Sequence, residues 1–139
     1  MREYRIGDYG IAQAYMAIVG ILLVVAGLDG FVAALPLAGP DGVLPTNTIH
    51  DLVHLATGGL ALYVAFGVKG EAQANGTIGF GVLYAAIFVL VILSPTLFGL
   101  FGDVPATTSD HVLHAVLAVV SLAVGYLSKG RTTVVASDR

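Results

Sequence analysis

The sequence has no cysteine and little charge. Without cysteine there is no disulfide, no thiolate metal site and no thiol nucleophile, and the redox compartment is left open. Charged residues make up 11% of the chain, against about 25% in an ordinary soluble domain. No basic cluster marks a nucleic-acid surface. The net charge of −3 says little about partners. Phosphate-binding, nucleophile-elbow, zinc-protease and dinucleotide fingerprints are all missing. The stretch Gly76-x-x-Gly79-x-Gly81 opens an apolar segment, where helix packing is its expected role. No charge falls in the inner or middle part of any apolar segment, which weighs against a proton relay or a midplane ion site.

Hydrophobic residues make up 57% of the 139 positions. A chain this short cannot enclose so much apolar surface in a water-soluble core. Lipid must solvate the excess. A bilayer core about 30 Å thick needs about 20 apolar helical residues. Four segments meet or nearly meet that need, at about residues 9–35, 49–68, 77–101 and 111–128. Arg2 and Arg5 precede the first run, as in a secretory signal, but the run from Ile11 to Leu28 is too long for one and reads as an uncleaved first helix.

Turn chemistry separates the segments. Pro36, Gly39, Pro40, Asp41, Gly42 and Pro45 fill the first loop, residues 69–76 the second, and Gly102 to Pro105 open the third. Pro95 is expected to kink the outer end of the third helix. Short loops imply antiparallel neighbours. The expected fold is all-α: an antiparallel four-helix transmembrane bundle built from two hairpins over residues 1–128. A polar cytoplasmic tail follows at 129–139.

Arg2, Arg5, Lys69, Lys129, Arg131 and Arg139 all fall on one side of this topology. That pattern puts both termini in the cytoplasm and the chain in the plasma membrane. Tyr9, Tyr15, Tyr63 and Tyr126 gather near the same face, as an interfacial belt does. A weak repeat relates Thr48-Ile-His-Asp-Leu-Val-His54 to Thr108-Ser-Asp-His-Val-Leu-His114. It relates the two hairpins by a pseudo-twofold axis along the membrane normal.

All four histidines open the second and fourth helices. His50 and His54 are spaced i, i+4, and His111 and His114 are spaced i, i+3, so each pair shares a helical face. From His54 the face continues through Thr57, Gly58, Ala61 and Ala65. From His114 it continues through Ala118, Ser121 and Gly125. Small residues let helices approach in membranes, so both histidine faces are expected to point into the bundle.

Imidazole is a ligand for zinc, copper, iron and haem, and its neutral, metal-binding form is the one a helix N-terminus favours. His50, His54, His111 and His114 are therefore candidate metal ligands. Asp29, Asp51 and Asp110 are candidate partners behind them. Three readings stand open: a metal site, a haem or pigment site, and a cofactor-free cluster whose rings hydrogen-bond aspartates or loop carbonyls. Thr48-x-x-Asp51 and Thr107-x-x-Asp110 resemble capping boxes, which would occupy both acids structurally. Asp29 is read as lying at the interface, or as a buried partner of His54 or His114.

Asn47-x-x-His50-Asp51-Leu-Val-His54-Leu and Asp110-His111-Val-Leu-His114, each opening a membrane helix, resemble a family of small four-helix membrane proteins of bacteria and archaea that is a domain of unknown function. The resemblance covers the chain from the first helix to Ser128. It implies the fold and no activity. The residues themselves favour a non-enzymatic accessory or structural subunit, bound by lipid and acting through lateral contact with a partner membrane protein or with copies of itself. A metal- or haem-binding protein is the alternative, and a small transporter stands behind both.

Overall fold

The computed structural model describes residues 10–137, with side chains as far as residue 129. Tyr9 and the orientation residues Arg2, Arg5 and Arg139 lie outside the described residues, as does the side chain of Arg131. Four helices follow one another: α1 (Gly10–Val32), α2 (Thr48–Phe66), α3 (Gly70–Leu93) and α4 (Thr108–Ser137). Among the described residues there is no strand. Each helix contains a stretch long and apolar enough to cross a membrane. Lipid offers the backbone no hydrogen bonds, so a spanning chain this apolar closes its own as helix.

The helix limits differ from the sequence reading where local chemistry outweighs composition. α3 begins at Gly70, so residues 70–76 belong to a helix and not to a loop. The Gln73 amide explains the tight turn. It donates to the carbonyls of Val64, Ala65 and Val68 at 3.1, 2.9 and 3.2 Å, capping the end of α2. α3 stops at Leu93 rather than kinking and continuing to 101. Pro95 disfavours helical backbone in the residue before it, and Ser94 is extended. α4 starts at Thr108 and runs on to Ser137, through most of the stretch expected as a polar tail.

Two antiparallel hairpins, α1 with α2 and α3 with α4, carry the closest packing. Glycines set the spacing. A Cβ on Gly58 would meet Val24 at 2.8 Å, and one on Gly125 would meet Ile78 at 2.5 Å. Gly20 and Gly27 meet α2 in the same way, and Gly81 meets α4. The small-residue faces read from the sequence are thus the inner faces of the hairpins. The hairpins join through Met16, Val19, Leu23, Ala61, Val64, Phe80, Tyr84 and Ala118. Two hydroxyl pairs cross the seam at 2.8 Å, Tyr84 with Thr57 and Tyr15 with Ser121.

The first loop is a folded cap. Asp29, in the last turn of α1, accepts from the backbone N–H groups of Leu35, Leu37 and Ala38 at 2.6, 3.1 and 3.0 Å. It is buried, at 4% exposure, and spends its carboxylate on this loop. The third loop closes against the same end of the bundle, where the Asn47 amide donates to the Leu100 carbonyl at 3.0 Å.

Candidate metal centre

Local chemistry fixes both helix ends that carry histidine. At α2 the N-cap is Asn47, whose side chain accepts from the His50 N–H at 3.0 Å. The Thr48–Asp51 box is not formed. Asp51 instead accepts from Thr46 Oγ1 at 2.5 Å, and Thr46 Oγ1 accepts from the Gly39 N–H. The Asp51 carboxylate lies against Gly30, where any Cβ would overlap it. At α4 the box does form. Asp110 Oδ2 accepts from the Thr107 N–H at 2.7 Å, and Thr107 Oγ1 accepts from the Asp110 N–H at 3.4 Å.

With the helices fixed this way, His50, His54 and His114 turn toward one another. One potential ligand atom from each ring lies within 4.8 Å of those of the other two. The His50 ring centroid is 4.5 Å from that of His54 and 6.3 Å from that of His114. His50 and His114 are buried, and His54 is half-buried. His50 is backed by Phe101, whose ring stacks on it at 4.6 Å and 10°. Tyr84 backs His114 at 5.8 Å.

None of the Nδ1 atoms of the four histidines has a hydrogen-bond partner, although all four are buried. Leaving buried imidazole nitrogens without partners costs about 1–3 kcal/mol each. Among the described residues no imidazole bonds an aspartate: Asp29 accepts from the first loop, Asp51 Oδ1 from Thr46 and Asp110 Oδ2 from Thr107. His111 stands outside the converging set. Of the seven residues singled out in the sequence, three histidines converge and two aspartates, Asp29 and Asp51, hold the first loop at the same end.

Asp110 faces a different feature. With His54, His114 and Tyr84 it lines a cavity of about 280 Å³ whose remaining wall is apolar, formed by Val19, Leu22, Leu23 and Ala26 of α1, Leu37 and Leu44 of the first loop, and Leu113 and Leu117 of α4. Both hydrogen bonds from Thr107 fall on Asp110 Oδ2, so neither uses Oδ1.

Sequence reasoning missed Tyr84 and Phe101. Tyr84 had a signal, being a tyrosine in mid-helix far from either interface, where its hydroxyl needs a partner. Phe101 had none, since only the fold of the third loop brings it onto His50.

Three imidazoles converging at one end of a membrane bundle can hold a transition-metal ion and leave a fourth position open. No curated protein and no solved structure matches the chain. The family model of a domain of unknown function (DUF4383) matches residues 13–127, and the chain belongs to that family of small four-helix membrane proteins.

Proposed function

We propose that this protein binds a single transition-metal ion of the zinc or copper kind through His50, His54 and His114. The carrying observation is the approach of the three ligand atoms to within 4.8 Å of one another. Three points that close fit a circle of radius about 2.8 Å, so a shift of about 0.7 Å by each nitrogen reaches zinc's bond length of about 2.0–2.1 Å. Side-chain rotation supplies a shift of that size without moving a helix. An all-imidazole set suits zinc and copper and disfavours magnesium and calcium, which take oxygen. Haem is less well supported, because His50 stands beside both His54 and His114 where a flat macrocycle would need a slot.

In this reading the site lies at the outer end of the bundle, with both termini cytoplasmic. The one-sided Lys and Arg pattern supports that orientation. Equilibrium dialysis of detergent-solubilised protein against zinc tests the proposal. One ion per chain is expected, with affinity reduced at least about tenfold in His54→Ala and His114→Ala. No bound zinc, or full affinity in both variants, contradicts it.

A second reading, an accessory subunit held by lateral contact, draws support from Gly59 and Gly79. Both stand open on outer helix faces, where a Cβ would meet nothing within 4 Å. It draws less from the other helix glycines, because Gly20, Gly27, Gly58, Gly81 and Gly125 pack inside the hairpins. Crosslinking in native membranes would separate a partnered chain from a lone one.

A further inference from the structure

The cavity beside the histidines has the form of a ligand site. Its volume, about 280 Å³, lies just below the usual range for small-molecule pockets, which begins at about 300 Å³. It lies in the seam between the hairpins, where α1 and α4 are far less closely packed than the helices within each hairpin. Leu22 and Leu113 line it from the two sides of that seam, and both are also exposed on the surface of the apolar helices, at 63% and 43%. Leu37 and Leu44 of the first loop cover its outer end. An entrant therefore comes sideways, from lipid.

The lining also says what kind of entrant. No Lys or Arg lines the cavity, and Asp110 does. A phosphate or carboxylate head would be desolvated there without a counter-charge and beside a carboxylate. The polar groups present suit a neutral head with oxygen atoms. A neutral imidazole carries one N–H donor and one acceptor nitrogen, so His54 and His114 serve a carbonyl or a hydroxyl in either tautomer. His114 is buried, and the Nδ1 atoms of both rings have no partner. Tyr84 lines the cavity beside His114, their ring centroids 5.8 Å apart.

We infer that the cavity binds a membrane-dissolved molecule of the quinone–quinol class, its oxygen-bearing ring between His54, His114 and Tyr84 and its apolar tail leaving between α1 and α4. The inference rests on the metal reading in one respect: a ring oxygen is then placed to fill the fourth position on the ion. The cavity and its polar end do not depend on that ion being bound.

The test is a titration of the full chain in neutral detergent with a benzoquinone carrying one isoprene unit, by calorimetry, with and without zinc. Oleate is the anionic comparator. Saturable benzoquinone binding, at least tenfold weaker in both Leu113→Trp and Leu22→Trp, is expected. Val119→Trp, on an exposed part of α4 outside the cavity, should leave it unchanged. Two independent lip variants guard against one that misfolds. Absence of saturable binding in both metal states overturns the inference. So does tighter binding of oleate, or an equal loss in Val119→Trp. Zinc dialysis on the same preparation reports on the metal reading alone, so either can fail without the other.

Discussion

The His50 and His114 rings lie 6.3 Å apart, centroid to centroid, although they project from helices that nowhere come within 8 Å of each other between Cα atoms. α2 and α4 are the diagonal pair of the bundle. Small residues close the contacts between neighbours, while the diagonal at one end of the bundle is bridged by imidazole. Four-helix bundles build metal sites in this way, from side chains of facing helices projecting into the core.

Gly58→Leu and Gly125→Leu should each destabilise the fold by about 1–3 kcal/mol, because the added side chain is driven into Val24 or Ile78. Gly59→Leu and Gly79→Leu should cost less than about 1 kcal/mol relative to the parent, since both positions are open and leucine is the better helix former. Denaturation in mixed micelles measures the contrast. Equal losses at all four positions would contradict the hairpin packing.

Asp29→Ala should loosen the first loop without separating the helices. It strips three backbone N–H groups of their acceptor. Hydrogen exchange at Leu35, Leu37 and Ala38 should accelerate by about tenfold or more, equivalent to at least about 1.4 kcal/mol of local stability, near what one such bond contributes. Unchanged exchange at all three amides would show that the carboxylate does not hold the loop.

The chain has no cysteine, so topology can be read with single introduced thiols. Asp103→Cys, exposed in the third loop, should react with an impermeant reagent in intact cells. Glu71→Cys, exposed at the start of α3, should react only after the membrane is opened. The reverse pattern would refute cytoplasmic termini.

Much of this was legible in the sequence, for definite reasons. Helix number and pairing followed from apolar length and short loops. The inward faces followed from the helical period that puts Gly58 in line with His54 and Gly125 in line with His114, because small residues let membrane helices approach. Convergence of His54 with His114 followed from helical period and the repeat. What stayed hidden depended on contacts distant in sequence. Nothing near Gln73 announces that it caps α2, and nothing near Phe101 announces a ring over His50. The partition of the aspartates was also out of reach. Thr48 and Asp51 have capping-box spacing, yet Asn47 caps α2 and Thr46 takes the acid.

X-ray absorption at the zinc edge tests most directly whether His50, His54 and His114 form one metal site. Zinc-loaded protein should show three imidazole nitrogens at about 2.0–2.1 Å, with the outer-shell scattering that imidazole rings produce. His54→Ala should lower the imidazole count by one, and His111→Ala should leave it unchanged. A spectrum of zinc surrounded by water or carboxylate oxygen, with no imidazole signature, would contradict the account.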